Sequence, residues 1–88
     1  MNTFAETDAL LRTAVILSDN SIKQIAENCS IKPNTLYKWK STDVHLSPQK
    51  MDALLAYFID KEPHVIVAAA LLNYVLKIIS LYLTSYTE

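Results

Sequence analysis

The amino-acid sequence predicts an all-α fold, and two observations support that prediction. The 88-residue chain contains no glycine, the residue on which tight β-hairpin turns mostly depend. Apolar residues make up 51% of the chain and charged residues only 19%, which is too apolar for a disordered segment. Helices joined by short Pro, Asn and Ser turns need no glycine. We therefore expect one small domain of five helices.

Two capping boxes predict the starts of the first two helices. In each box a hydroxyl and a carboxylate or amide three residues later satisfy two backbone N–H groups reciprocally. The pairs are Thr3 with Glu6 and Ser21 with Gln24. The first helix carries an apolar face that includes Leu17 and ends at a Ser-Asp-Asn turn. The second is short.

Proline predicts where the third and fourth helices begin, because its missing N–H does no harm at the first helical position. The third helix is predicted from Pro33 to about Lys40. The fourth begins at Pro48, directly after a hydroxyl cap. The fifth begins at Pro63, runs to about Tyr86 and is apolar over most of its length.

Apolar spacing between residues 21 and 40 predicts two helices that cross steeply around a tight turn. A small residue, Ala26, stands where the helices would touch, and Ile31 follows the turn and fills the corner. Leu36 and Trp39 then face inward three residues apart, and we also expect Cys29 in the core. Four lysines and one glutamate give this stretch a charge of +3 in a chain of net charge −1. A basic island on an acidic body is one form that a DNA-binding surface takes.

This stretch resembles the helix-turn-helix of phage repressors and Cro-type regulators, and the likeness extends from about residue 10 to residue 62. It implies a repressor-like helix-turn-helix DNA-binding domain at residues 1–62. The likeness does not cover residues 63–88, which we expect to form a dimerisation helix packed on the same domain. The implied function is that of a sequence-specific transcriptional regulator, a small dimeric repressor of phage or mobile-element origin on a palindromic operator. Family members usually have glycine in the turn where this chain has Ser30, and a left-handed serine costs about 1 kcal/mol.

In such a motif the second helix lies in the major groove and reads base edges, while neighbouring residues hold phosphates. The resemblance therefore assigns both kinds of contact to side chains of this stretch. The expected base contacts are Lys32, Asn34, Thr35, Tyr37 and Lys38. The expected phosphate contacts are Ser21, Lys23, Gln24 and Lys40.

The last helix combines an apolar stretch long enough to span a bilayer, residues 64–83, with one polar stripe. The stripe consists of Asn73, Lys77, Ser80 and Thr84, and the small residues Ala69 and Ala70 extend it toward the start of the helix. A lysine near the middle of a membrane span is costly, so we expect a protein partner and no membrane.

Two apolar seams can be distinguished on this helix, and we expect one to cover the domain's own core and the other to meet a second subunit. The first seam consists of Val67, Leu71, Tyr74, Ile78 and Leu81. The second seam consists of Leu72, Val75, Ile79, Tyr82 and Tyr86. The expected homodimer interface draws on both seams and consists of Leu71, Tyr74, Val75, Ile78, Ile79 and Tyr82.

Other chemistry is sparse. Cys29 is the only cysteine, which excludes an internal disulfide and suggests a reducing compartment. With no signal peptide at the N-terminus, we expect a cytoplasmic protein. His45 and His64 are far apart, and no metal-ligand spacing, nucleophile–base arrangement or P-loop occurs. We expect no enzyme activity, no cofactor and no metal. The near-neutral charge leaves a second hypothesis open: a protein-binding module on a helix-turn-helix scaffold, such as an anti-repressor or an inhibitor of a host defence protein.

Overall fold

The computed structural model describes residues 3–42 and 44–86, and within them the chain is all-helical, with five helices and no strand. Each helix begins and ends within one or two residues of its predicted position. The all-α prediction is therefore confirmed. The helices are α1 (Thr3–Leu17), α2 (Ile22–Asn28), α3 (Pro33–Ser41), α4 (Pro48–Lys61) and α5 (Pro63–Tyr86).

Side-chain caps determine where α2 and α4 begin. The Ser21 hydroxyl accepts the N–H of Gln24 at 3.2 Å, and the Gln24 side chain accepts the N–H of Ser21 at 3.0 Å, which is the predicted capping box. The Ser47 hydroxyl accepts the N–H of Lys50 at 3.3 Å, in front of the proline that opens α4. The capping box expected at Thr3 involves a side chain outside the described residues.

The turn between α2 and α3 depends on a left-handed residue, Ser30, whose φ is 57°. The N–H of Ile31 donates to the carbonyl of Ala26 at 2.9 Å, and the N–H of Ser30 donates to the carbonyl of Glu27 at 3.3 Å. These are the two hydrogen bonds of a Schellman cap. Ala26 and Ile31 are both buried, so the cap also carries the hydrophobic contact that usually accompanies it. Ser30 thus has the left-handed backbone conformation that glycine adopts with less strain, because glycine has no Cβ.

One core joins the first four helices to the beginning of α5. In it α1 packs against α4 and α5, and α2 packs against α3 and α4. Its largest fully buried side chains are Leu11, Ile25, Leu36, Trp39, Leu54 and Phe58.

Leu17 and Cys29, which we expect in the core, are less buried than predicted, and so is Ala9 on the predicted buried face of α1, which is exposed. Leu17 is exposed because it is the last residue of α1 and reaches past its neighbours. Cys29 is half-buried at the C-terminal cap of α2, where its thiol lies 3.7 Å from the carbonyl of Ala53. Burial raises the pKa of this thiol to about 11, so it stays protonated.

A buried carboxylate, Glu62, joins the α4–α5 junction to the turn after α1. Its oxygens accept hydrogen bonds from Tyr57 at 2.7 Å, from Ser18 at 2.8 Å and from the Asn20 amide at 3.2 Å. Burial alone raises the pKa of Glu62, but these hydrogen bonds, with one from the backbone of Asp19, outweigh it and hold the pKa below its ordinary value. The residue therefore remains charged and fully satisfied inside the domain.

The contact of α5 with the domain differs from our expectation. Val65 and Ala69 are buried, and the Thr13 hydroxyl donates to the side chain of the half-buried Asn73 at 2.8 Å. The stripe that begins with Ala69 and Asn73 thus lies against α1, because small and polar side chains there allow the helices to approach closely.

The described members of both seams are exposed, from 41% at Leu72 to 65% at Tyr74. The expectation that one seam covers the domain's own core is therefore wrong. The physical reason is that α1 is covered by the narrower stripe, which leaves both seams on the outside.

The left-handed turn leads to a stability prediction. We expect Ser30→Gly to raise the free energy of unfolding by about 0.5 kcal/mol, because the relief of left-handed strain exceeds the entropy that glycine adds to the unfolded chain. Ser30→Val should lower it by about 1 kcal/mol or more. Urea unfolding measures both changes.

The matched control is Glu27→Gly, one turn earlier in the exposed helical part of α2, which should lower the free energy of unfolding by about 0.5–1 kcal/mol. If Ser30→Gly is as destabilising as this control, the turn does not require a positive φ.

Candidate nucleic-acid interface

Helix α3 has one buried and one exposed face. Leu36 and Trp39 are fully buried. On the opposite side, at helical spacings of three, four and seven residues, lie exposed side chains that no neighbouring helix covers. This outward face consists of Asn34, Tyr37, Lys38 and Ser41. Three of the five expected base-contact residues lie on it.

The other two expected base-contact residues lie at the margins of the outward face. Thr35 is half-buried on the flank of α3, and its N–H donates to the carbonyl of Lys32 at 2.9 Å. Lys32 is exposed and forms the N-terminal cap position of α3 without a side-chain capping bond. Of the five expected base-contact residues, only Asn34, Tyr37 and Lys38 therefore face directly outward.

All four expected phosphate-contact residues are exposed. Ser21 and Gln24 already bond to each other in the α2 capping box, so they have less remaining capacity for a ligand. Lys23 lies between them in the first turn of α2, and Lys40 lies in the last turn of α3. Within α2 and α3 the one acidic residue is Glu27. The exposed charge of this helix pair is therefore predominantly positive.

The sequence pattern does not point to three residues that belong to the site in the structure. Ser41 extends the outward face because α3 continues one residue beyond the predicted end, and it stands seven residues after Asn34. The other two are Asp8 and Arg12, which lie on α1 and hold α3 from behind. Their spacing of four residues is the signal of an ion pair on one helix, but nothing local connects them to residue 39.

The indole of Trp39 anchors α3 to α1. Its N–H donates to Asp8 Oδ1 at 2.7 Å, and the other oxygen of Asp8 accepts from Arg12 Nε at 2.7 Å. The guanidinium carbon of Arg12 lies 4.9 Å from the centre of the Trp39 ring, a distance that permits a cation–π interaction.

Arg12 also holds the C-terminal end of α3. Its guanidinium donates to the carbonyl of Trp39, to that of Thr42 at 3.2 Å and to that of Val44 at 3.3 Å. Carbonyls at a helix C-terminus lack partners within the helix and favour a cation. One arginine, the only one in the chain, thus fixes the end of α3 and the segment after it.

The titration of Asp8 reflects this environment. Burial alone raises the pKa of Asp8, but hydrogen bonds from Trp39 and Arg12, together with the positive charge of Arg12, outweigh it and lower the pKa below its ordinary value. Asp8 is therefore ionised when it binds the indole and the guanidinium.

Among residues 3–42 and 44–86, no group of three or more His, Cys, Asp or Glu is arranged to hold a metal ion. The expected dimer residues, Leu71, Tyr74, Val75, Ile78, Ile79 and Tyr82, are all exposed along α5. By length and composition alone, the α5 stretch Pro63–Ser85 also meets the criteria for a membrane span.

Comparison of the chain with protein-family models, with curated proteins and with solved structures finds no match.

The contribution of Asp8 to the free energy of unfolding should depend on pH. The pKa of Asp8 is lowered in the folded state, so its contribution to stability is present above the unfolded-state pKa of about 3.9 and is lost as the pH falls through the folded-state pKa. At neutral pH we expect Asp8→Asn to lower the free energy of unfolding by about 1–3 kcal/mol. The difference from the unsubstituted chain should shrink as the pH falls below about 4.

Urea unfolding followed by the fluorescence of Trp39 measures this difference at each pH. The control is Asp52→Asn, an exposed position on α4, for which we expect almost no change at any pH. An Asp8→Asn effect that stays constant from neutral to acid pH would show that the charge of Asp8 contributes nothing.

Proposed function

We propose that this chain is a sequence-specific DNA-binding transcriptional regulator, a small dimeric repressor of the phage or mobile-element kind, with α2 and α3 as a repressor-like helix-turn-helix. One observation carries the proposal: the outward face of α3 is polar and basic and is not covered by any other helix. The tightly capped α2–α3 turn supports it, because such a turn holds the two helices at a fixed angle.

The side chains on the outward face suit the edges of base pairs in the major groove, which is wide enough to admit one α-helix. The amide of Asn34 is able to donate to and accept from adenine in a bidentate pair, and Lys38 is able to donate to guanine. The ring of Tyr37 offers an apolar contact for a thymine methyl group and a hydroxyl for a phosphate. Ser41 adds a hydroxyl at the far end of the face.

The lysines around this face supply contacts that do not depend on sequence. Lys23, Lys32 and Lys40 are exposed on both sides of the α2–α3 turn and at the end of α3. Contacts of this kind to phosphates position a protein on the duplex, and each one makes binding weaker as salt rises. Binding by this surface should therefore be strongly dependent on salt.

A second candidate function is supported by two observations. The whole chain carries a net charge of −1, and the half-exposed ring of Tyr37 lies within the outward face of α3. Exposed tyrosines are common anchors in protein interfaces. On this reading the same face binds another protein, as an anti-repressor or an inhibitor of a host defence protein would.

DNA selection from a random pool, followed by gel shifts on the selected duplex, tests the proposal. We expect Lys38→Glu to abolish the shift, because it places an acid against the groove. Asn34→Ala should relax base preference at one position at a cost of about 1–3 kcal/mol. Lys40→Ala should weaken all duplexes alike and reduce the salt slope by about one unit.

The matched control is Lys61→Glu, which makes the same change of charge at an exposed position at the end of α4 and should leave operator binding nearly unchanged. If no duplex is enriched at low salt, the DNA-binding proposal is wrong and the protein-binding function is favoured. Equal loss of binding in Lys38→Glu and Lys61→Glu would show only a general charge effect and would remove α3 from the interface.

A further inference from the structure

Helix α5 presents an exposed apolar seam on the side facing away from the domain. Residues of the first seam follow one another at spacings of four and three from Val67 to Leu81, the repeat by which two helices pack along a common line. All five members are exposed. The buried Ala69 and the half-buried Asn73, which pack toward α1, lie on the other side of the same helix.

We propose that this first seam binds the first seam of a second copy of the chain, with the two α5 helices antiparallel and the twofold axis at Tyr74. The dimer that the proposed function requires would be formed in this way. The inference itself rests on α5 alone and does not depend on whether α3 binds DNA.

The positions in the seam are symmetric about Tyr74. Val67 lies seven residues before it and Leu81 seven residues after it, while Leu71 and Ile78 lie three and four residues away. In an antiparallel pair Val67 therefore meets the partner's Leu81, and Leu71 meets the partner's Ile78. A twofold interface requires this self-complementarity. The seam contains no charged residue, so the two copies meet without repulsion between like charges.

The area of the seam reaches the lower limit for a stable dimer. At roughly 100 Å² for each aliphatic side chain and more for the tyrosine, the five side chains expose about 600 Å² per chain. A symmetric pair that buried them completely would bury about 1,200 Å² in total, which is the lower limit of the range for stable interfaces. Left uncovered, the same surface would be an exposed apolar patch larger than most monomers carry.

The first seam is favoured over the second because its central residue, Tyr74, also lines a groove between α1 and α5, together with Ala9 and Ala70. No described member of the second seam lines this groove, whose edge also carries Glu6 and Lys77. The partner's helix would therefore meet an apolar surface that reaches from the seam to the groove at Tyr74.

A bilayer is a less suitable partner than a second copy. The groove along α1 reaches as far as Lys77, so α5 lies beside another helix over more than half of its length. The part beyond Lys77, residues 78–86, is about 14 Å long as a helix. That is about half the thickness of a hydrocarbon core. To span a membrane, α5 would have to leave α1 and expose the buried Ala69 and Val65.

Light scattering on the purified chain, without DNA, tests the proposal. At tens of micromolar we expect twice the chain mass of 9.9 kDa. Ile78→Glu should raise the dimer dissociation constant by about 30-fold or more. The matched control is Ile79→Glu, because Ile79 is the next residue, belongs to the second seam and is equally exposed at 47%. It should leave the dimer intact, and circular dichroism should show both variants fully helical.

Disulfide trapping in a Cys29→Ser background tests the antiparallel arrangement. A mixture of Val67→Cys and Leu81→Cys chains should form mixed disulfide dimers on mild oxidation, whereas either variant alone should form few. Cross-linking of Val67→Cys with itself would instead indicate parallel helices and overturn the proposed axis. A monomeric unsubstituted chain, dissociation by Ile79→Glu in place of Ile78→Glu, or partition of the chain into phosphatidylcholine–phosphatidylglycerol vesicles would overturn the interface.

Discussion

The hydrogen bond from the Trp39 indole to Asp8 fixes the position of α3 against α1, and the candidate site depends on that position. Helix α3 has only nine residues, too few to be stable alone in water, and it buries just Leu36 and Trp39. Asp8 and Arg12 on α1 bind the indole, the end of α3 and the backbone after it. This attachment from behind leaves the opposite face of α3 exposed, with none of the other described helices covering it. The proposed DNA-binding surface is therefore a consequence of how α3 is held.

The same helix, α1, also holds α5. Thr13, the residue after Arg12, donates a hydrogen bond to Asn73 on α5. A helix of 15 residues thus positions both the candidate DNA-binding helix and the candidate dimerisation helix. Helices α1–α4 are too small to cover the whole apolar surface of α5, because a chain of this length buries only about 60–65% of its unfolded surface. The apolar surface that stays exposed on α5 is consistent with a partner subunit. Because α1 contacts both α5 and α3, pairing through α5 would also set how the two α3 helices of a dimer are placed relative to each other.

Sequence patterns predict the helices and the turn because these depend on local chemistry. The capping residues Ser21 and Ser47 and the prolines that follow turns fix where helices begin. The exposure of Asn34, Tyr37 and Lys38 follows from helical spacing once Leu36 and Trp39 are recognised as buried. By contrast, the bonds of Asp8 and Arg12 to residues 27–32 positions away and the network around Glu62 depend on tertiary packing, which no local pattern encodes. For α5 the apolar seams dominate the pattern, so the stripe of Ala69 and Asn73 that actually meets α1 is easily taken for a solvent-facing side.

The central claim is that the outward face of α3 is the surface by which this protein acts, and an NMR titration tests it most directly. Isotope-labelled protein would be titrated with a duplex selected from a random pool, and the change in each backbone and side-chain amide signal would be measured. We expect the largest changes at residues 34, 37, 38 and 41 and at the start of α2, with the signals of the first seam of α5 unchanged. Changes confined to α5, or none along α3, would contradict the claim.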